Sequence, residues 1–513
     1  MGVRRIDAAR NLRLRWAMPE QGPPSLAVPS SRTRFPSGGD PRAMDNAASS
    51  THSRSSPSVA GRSDLYASVY ESVLFPGWQG IVRGRPVHRY GRLLDASQWF
   101  DREALDRLKL ANLRSLLLHA AAHVPYYRDL FRAVRFDPRA VSALGDLEAL
   151  PVLTRDTIRE RYDDLVDPSQ RGRTIRKQTS GSTGSPVRFE YCNDSETWRQ
   201  AVRLRAYGWV GYRQGLPTLH YWGTGTRVAR GLRAARVGLD RTLRREVYID
   251  AACQDEEAMR RTAVRIARMK PRAIVAYTQA LAGFARWVLD RGAREWGDII
   301  VLGGAEPMLP RDRAVLERVF GPCVYETYGS RETMLIAAEC ERRSGLHVAE
   351  ENLIVEIARD GKGVAPDEVG SVLVTDLHNF GMPFIRYANG DLAQFSREER
   401  CTCGRELQRL ARVDGRLADT MRTMAGAPVP GMLFISLLNA HEAEVREFQA
   451  VQRASGAVEL RVVPGREWSK DAFAATAERL AKYFGGLPFE VVLVSAIEAD
   501  ASGKRRHVIV ERH

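Results

Sequence analysis

From Arg102 to Phe131, apolar residues recur at intervals of three and four in "REALDRLKLANLRSLLLHAAAHVPYYRDLF". That period lines one face of an α-helix. The pattern predicts a helix that stops before Pro125, because proline pushes the residue ahead of it out of the helical region. Farther along, the period keeps switching. "DEEAMRRTAVRIARMKP" (255–271) predicts an amphipathic helix, "RAIVAY" (272–277) a buried strand, "ALAGFARWVLDRG" (280–292) a helix and "DIIVLGG" (298–304) a strand. Strand–helix alternation of this kind argues for α/β architecture with mostly parallel sheets.

From Leu353 the pattern turns strand-rich, and "LIVEIARDGKGVAPDEVGSVLVTDL" predicts a hairpin around a Gly/Pro turn. After Gly415 come strands at "VELRVVPG" and "FEVVLVSAI" around the helix "SKDAFAATAERLAKYFGG", an α+β unit joined at Arg416–Thr420. Three segments are therefore expected: a tail at 1–62, a large α/β domain at 63–416 and a small α+β domain at 417–513. The tail is rich in Arg, Pro, Ser and Gly without periodicity. Such a composition buries too little apolar surface to offset the entropy of ordering, so the tail is expected to be disordered. It resembles a transit peptide in being Arg-rich and acid-poor, and an over-long start accounts for it equally well.

Composition narrows the class. Six cysteines in 513 residues make no disulfide scaffold, and in a reducing cytoplasm, the expected location, they are thiols or metal ligands. No stretch approaches eighteen uninterrupted apolar residues, so no membrane span is expected. The net charge of +15 invites a nucleic-acid reading. Only seven of the 77 basic residues are Lys, however, which points to a GC-rich coding bias. No helix–turn–helix, RNA-binding aromatic signature or Cys/His finger accompanies the charge, so no nucleic-acid partner is expected.

"KQTSGSTGSPVRFEY" (177–191) carries the most chemical information. Glycine reaches positive φ without steric cost, so Gly181 and Gly184 let successive backbone N–H groups converge on one concavity. Thr179, Ser180, Ser182 and Thr183 add hydroxyl donors, and the product is a cradle for phosphate oxygens. It is not a Walker loop, because no Gly-Lys-Ser/Thr closes it. The alternating Val187, Phe189 and Tyr191 pin the segment to an ordered strand.

"TSGSTGSP" resembles the phosphate loop of the adenylate-forming superfamily of acyl-CoA synthetases, luciferases and peptide-synthetase adenylation domains. Five further motifs of that superfamily follow in order: "GGAEP" (303–307), "YETYGSRE" (325–332), "RYANGDLA" (386–393), "DGRLAD" (414–419) and "SGKRR" (502–506). The segments "SQWFDREALDRLKLANLRSLLLHAAAHVPYYRDLF", "MKPRAIVAYTQALAGFA" and "REFQAVQ" are similar to the phenylacetate–CoA ligase and CapK-like branch.

The resemblance implies a large adenylate-forming domain with a small mobile C-terminal domain, and ATP or AMP, Mg²⁺ and CoA as ligands. Thr179, Ser180, Gly181, Ser182, Thr183 and Gly184 would hold phosphates, and Gly304, Ala305 and Glu306 would flank adenine. Tyr328, followed by Gly329, would stack on the adenine ring. Asp391 would accept from the ribose hydroxyls, with Arg416 supporting ribose and hinge. Glu332 would hold Mg²⁺, and Lys504 would bridge the carboxylate and the α-phosphate. His220, in "LHYWGTG", is a candidate contact to the acid. Three departures stand out: Arg331 occupies a position that is Thr in most of the superfamily, Ala418 replaces an acid or Lys at the hinge, and "RTMAGAPVPGMLF" lacks the charged, Gly-rich look of many CoA users.

Cys340, His347, Cys401 and Cys403 offer three thiolates and an imidazole, a donor set suited to tetrahedral Zn²⁺ in a closed structural site. It also resembles a zinc site of the same branch. Near to Glu332 and Asp391 in sequence, it is expected to brace the nucleotide loops. Cys192, Cys253 and Cys323 read as core or loop residues. The expected activity is ATP-dependent conversion of a carboxylic acid to an acyl-adenylate and then a CoA thioester, by a monomer or homodimer. The alternative is a CapK-like adenylyltransferase or acid-activating protein that does not use CoA.

Overall fold

The chain was studied as a computed structural model, which describes residues 64–179, 187–223, 232–398, 400–416, 421–426, 428–429, 432–438, 441, 443–498 and 506–511. All of these fall in one compact unit, 56–513. The tail 1–62 and the hinge residues Ala418 and Asp419 lie outside the described residues, as do Ser180, Gly181, Ser182, Thr183, Gly184 and Lys504.

The helix Arg102–His123 ends where Pro125 requires, with Val124 in extended conformation as its C-cap. Asp101 caps its first turn by accepting from the Ala104 N–H, and Leu105, Leu113, Leu116, Leu117 and Ala120 form its buried face. Pro125 then opens a second helix, Pro125–Ala133, where its missing N–H costs nothing.

Strands β1 (Ile175–Gln178) and β2 (Arg188–Tyr191) form a separate antiparallel hairpin. β3 (Thr218–Tyr221), β4 (Glu246–Ile249), β5 (Ala273–Tyr277), β6 (Ile300–Gly304) and β7 (Val324–Ser330) run parallel, in the order β4-β3-β5-β6-β7. Beyond β7 the same sheet continues with β8 (Met334–Glu339), β9 (Leu346–Val348), β10 (Leu353–Arg359), β11 (Lys362–Gly363), β12 (Gly370–Asp376), β13 (Tyr387–Phe395) and β14 (Arg409–Arg416). Their order is β8-β9-β14-β13-β12-β10-β11, and all these pairings are antiparallel.

The expectation of mostly parallel sheets is therefore corrected: the large sheet is mixed. A parallel neighbour needs a crossover of about a dozen residues or more. The helices Glu256–Met269, Thr278–Arg291 and Pro310–Phe320 supply such crossovers as far as β7. After that, only residues 331–333 separate β7 from β8, and the chain can only turn back on itself.

The parallel strands are covered on both faces, so they read as continuous apolar runs. Ile274 and Ala276 of β5 pack in one core with Phe284, Ile266 and Leu316 from those helices. Ala273 and Val275 face a second core with Tyr207, Ile300 and Tyr325. Each fully buried Ile or Phe side chain contributes roughly 1.5–3 kcal/mol.

Past β14, the short strands β15 (Met421–Arg422) and β16 (Pro428–Val429) pair with each other. A four-stranded sheet follows, made of β17 (Val445–Gln452), β18 (Val458–Pro464), β19 (Phe489–Leu493) and β20 (Val508–Val510) in the order β19-β18-β17-β20. Phe473 and Leu480 of the helix Lys470–Tyr483 join Phe448, Leu460 and Val462 in its core.

Candidate active site

The C-terminal ends of β3, β5 and β6 bring Tyr221, Tyr277 and Gly304 to one edge of the sheet, and Tyr328 lies near the same end of β7. Open α/β sheets bind ligands in the crevice at such an edge. Backbone close approach shapes it. A Cβ on Gly303 would meet the Met308 methyl at 2.4 Å, and one on Gly304 would meet the Thr327 hydroxyl at 2.7 Å. Gly329 lies under the β7–β8 turn, where a Cβ would fall 1.8 Å from the Met334 carbonyl oxygen. Only glycine fits there.

Ala305 adopts φ +69°, a left-handed conformation uncommon for a residue with a side chain. It turns the chain so that a Glu306 carboxylate oxygen accepts from the Gln279 N–H at 3.0 Å. The helix Thr278–Arg291 has no side-chain cap of its own at Tyr277. Glu306 therefore supplies the negative charge that a helix N-terminus favours.

The Tyr328 hydroxyl donates to Asp391 Oδ2 at 2.8 Å and accepts from the Asn389 side-chain amide at 2.7 Å. Asp391 lies directly opposite Arg416 in the β13–β14 register, with Arg416 Nε 3.9 Å from Asp391 Oδ1. Burial pushes Asp391 above the usual carboxylate range, against the pull of Arg416 and the Tyr328 hydrogen bond. Burial, then the charge of Asp391, pushes the Tyr328 hydroxyl up as well, so it stays a neutral donor.

Glu332 occupies the turn between β7 and β8 and is buried at 3% exposure. Its Oε1 accepts from the Tyr387 hydroxyl at 2.9 Å, and Arg155 Nη2 lies 3.8 Å away. The second carboxylate oxygen has no protein partner among the described residues. Arg155 also donates to the Asn389 carbonyl at 2.6 Å and to the Tyr387 hydroxyl at 3.3 Å. A one-residue parallel bridge between Leu153 and Tyr387 sets this up, with the Leu153 N–H donating to the Arg386 carbonyl at 3.1 Å.

Two site networks thus share β13: Tyr328–Asn389–Asp391–Arg416 and Glu332–Tyr387–Arg155. The sequence reading named Tyr328, Asp391, Arg416 and Glu332 but missed Arg155, Tyr387 and Asn389. "RYANGDLA" contains Tyr387 and Asn389, so proximity to Asp391 could have flagged them. Nothing around Arg155 distinguishes it from the chain's other arginines.

His220 lies on β3, stacked on Tyr248 of β4 at 4.4 Å between ring centroids, with Nε2 3.8 Å from Glu246. Burial opposes the charge on Glu246, yet contact with His220 and Arg244 holds its carboxyl down at about 2. Trp222 packs against Tyr277 at 4.2 Å. Thr179 closes the base of the β1–β2 hairpin: its N–H donates to the Val187 carbonyl at 2.9 Å, and its hydroxyl accepts from the Val187 N–H at 3.0 Å.

The four metal-type residues do converge. One donor atom from each of Cys340, His347, Cys401 and Cys403 lies within 4.8 Å of the others. Cys340 and Cys401 sulfurs are 3.8 Å apart, and Cys403 Sγ is 3.4 Å from His347 Nε2. Tetrahedral Zn²⁺ with bonds of about 2.3 Å to sulfur and 2.0–2.1 Å to nitrogen requires separations of about 3.5–3.8 Å, so the donors fit. His347 Nδ1 lies 3.3 Å from the Leu407 carbonyl, which fixes the tautomer that leaves Nε2 for a metal. Hydrogen bonding with Cys340, then contact with His347, holds the Cys403 thiol low despite burial. Cys340 follows β8 directly and Glu332 precedes it, so cluster and carboxylate lie at opposite ends of one strand, roughly 20 Å apart at 3.3 Å per residue.

No protein-family model matches the chain. The phenylacetate–coenzyme A ligase of Thermus thermophilus is 28% identical over 426 residues, 80% of this chain and 89% of that protein. The phenylacetate–coenzyme A ligase of Escherichia coli K12 is 28% identical over 356 residues, covering 66% and 76%. Among solved structures, a 2-hydroxyisobutyryl-CoA ligase in the postadenylation state, in complex with R3-HIB-AMP, shares the fold. Its TM-score is 0.66 at 19% identity, over 82% of this chain and 92% of that one. The same ligase with 2-HIB-AMP and CoA in the thioesterification state gives 0.55 at 20% identity, over 81% and 92%.

Proposed function

Because the chain belongs to the adenylate-forming superfamily and is homologous to phenylacetate–coenzyme A ligases, we propose that it activates a carboxylic acid with ATP and transfers the acyl group to CoA. The observation that carries this reading is the Tyr328–Asp391–Arg416 network at the strand ends, with the Glu332 carboxylate in the adjoining turn.

In the first step a carboxylate oxygen attacks the α-phosphorus of ATP. The bond from that phosphorus to the bridging oxygen breaks, and pyrophosphate leaves with the electron pair. In the second, the CoA sulfur attacks the acyl carbon and AMP leaves. The first step brings two anions together, so charge compensation and alignment dominate its barrier.

Asp391 accepts from the ribose hydroxyls, with Arg416 steadying the carboxylate. Tyr328, locked at its hydroxyl, presents a fixed ring face on which adenine stacks. Arg155 and Tyr387 hold one oxygen of Glu332 and leave the other for a hard cation, which suits Mg²⁺. When bound, Mg²⁺ offsets charge on the phosphates. Thr179 to Gly184 hold the phosphates, and Lys504 bridges the carboxylate and the α-phosphate. Cys340, His347, Cys401 and Cys403 would hold Zn²⁺, which would tie the far end of β8 to β9 and to the segment before β14 without a part in the chemistry. The segment 417–513 forms a small domain that carries Lys504 to and from the site. His220 is a candidate contact to the acid through its place on β3.

The test is pyrophosphate release with a panel of aryl and aliphatic acids, with and without CoA. Acid-dependent release followed by CoA-dependent AMP formation is expected. Release that CoA does not affect would leave only the activation step, and no release with any acid would overturn the proposal.

A further inference from the structure

Two cations, Lys177 and Arg331, stand at the base of the β1–β2 hairpin without an ion pair among the described residues. Arg331, which opens the turn after β7, donates Nη1 to the Gln178 carbonyl at 3.1 Å, at the end of β1. That uses one of its five N–H donors, and the others have no partner among the described residues. Lys177, the residue before Gln178, holds its ammonium 5.1 Å from the centre of the Tyr191 ring. The Arg199 guanidinium lies over the same ring at 4.4 Å.

The neighbouring cations are answered: Arg199 pairs with Asp376 at 2.7 Å and Arg85 lies 3.7 Å from Glu196. Lys177 and Arg331 form no ion pair among the described residues, and both side chains reach solvent. Loss of hydration around Lys177, together with the charges of Arg199, Arg331 and Arg85, still holds its ammonium below the usual range, against the pull of Glu196. Crowded like charges of this sort are relieved when an anion arrives.

Position selects the anion. Arg331 follows Tyr328 by three residues, about 10 Å of extended chain, and adjoins Glu332. On the adenylation reading, a nucleotide with its ribose at Asp391 and its Mg²⁺ at Glu332 would carry its phosphates toward this turn. We propose that Arg331 and Lys177 form a two-cation clamp for the β- and γ-phosphates of ATP, and so for the pyrophosphate that leaves. The inference rests on the adenylation reading above. The clamp compensates charge on the leaving group, and Arg331 can engage two phosphate oxygens at once through its planar fork.

Inorganic pyrophosphate and AMP are the probes, because AMP lacks the phosphates in question. Binding of each in the presence of Mg²⁺ is measured by calorimetry on the full chain and on Arg331→Gln, Arg331→Lys and Lys177→Gln variants whose melting matches the parent. Arg331→Gln is expected to bind pyrophosphate about tenfold more weakly, Arg331→Lys to recover part of the loss, and Lys177→Gln to lose a similar factor. AMP affinity should stay within about twofold. Pyrophosphate bound as tightly by Arg331→Gln as by the parent would overturn the clamp, and so would AMP weakened by the same factor as pyrophosphate. A parent protein that binds AMP and releases pyrophosphate while the variants behave alike sinks only the clamp. One that binds neither probe sinks the adenylation reading as well.

Discussion

The guanidinium of Arg155 donates to the carbonyl of Asn389 at 2.6 Å, across 234 residues of chain, and reaches Glu332 and Tyr387 from the same position. A residue from a short helix near the start of the large sheet's sequence thereby fixes both halves of the candidate site. Burial works against its charge, and Tyr387, Glu332 and Asp391 together more than offset that cost.

Arg155→Gln should therefore act through Glu332 rather than on the nucleotide directly. A buried carboxylate that loses a neighbouring cation binds Mg²⁺ more tightly but is held less firmly. Adenylation kcat is expected to fall by about ten- to a hundredfold, with a smaller loss of AMP affinity through the Asn389 contact. Single-turnover pyrophosphate release at varied Mg²⁺ checks this, and an unaltered Mg²⁺ dependence would count against it.

Glu332→Gln keeps the oxygen that accepts from Tyr387 and removes the charge. Pyrophosphate release should drop by about a hundredfold or more, while the fold is retained because the amide still fills the turn. Stopped-flow release together with a melting curve separates the two effects.

Tyr328→Phe leaves the Asn389 amide and Asp391 without their shared hydroxyl. Unsatisfied buried polar groups of this kind cost about 1–3 kcal/mol. A lower melting temperature with weaker AMP binding is expected, whereas Asp391→Asn should weaken AMP binding without a comparable loss of stability. Differential scanning calorimetry and AMP titration test the pair.

The metal cluster predicts close to one Zn²⁺ per chain by elemental analysis. Cys401→Ser and Cys403→Ser should lose the metal and melt at lower temperature, while acid activation below that temperature persists. Loss of metal without any loss of stability would contradict a bracing role.

His378 is buried, stacked on Trp198 at 3.9 Å between ring centroids, with Nε2 2.9 Å from the Glu351 carbonyl. Burial lowers its pKa to about 4. The unfolded chain takes up this proton near pH 6.5 and the folded chain only near 4, so stability is full above pH 6.5 and falls as pH drops toward 4. The loss is on the order of 3 kcal/mol. Denaturant titrations between pH 7.5 and 4.5 should show it, with a flatter profile for His378→Gln.

Local physics made much of this legible in the sequence. The helices Arg102–His123, Glu256–Met269 and Thr278–Arg291 follow from apolar period and breakers, and β5 and β6 from short apolar runs. The Cys340, His347, Cys401 and Cys403 set was readable because soft ligands at such spacing carry their own chemistry. Tyr328, Asp391 and Arg416 were named in order along the chain, and the β13–β14 register joins two of them.

What the sequence could not carry is anything set by pairing between distant segments. The hairpin of β10 and β12 was legible as a Gly/Pro turn between two apolar runs, but the strand order of the large sheet, the Leu153–Tyr387 bridge that delivers Arg155, and the Glu306 carboxylate that caps a helix arise from hydrogen bonds between segments apart in the chain. Periodicity reports which face of an element is buried, but not what it is buried against. The cluster and Glu332 show the same limit: eight residues separate Glu332 from Cys340, and a single extended strand holds them at its two ends. Sequence determined the elements and the donor sets, and the tertiary fold alone decided which of them meet, because closing loops of hundreds of residues depends on the packing of the whole core.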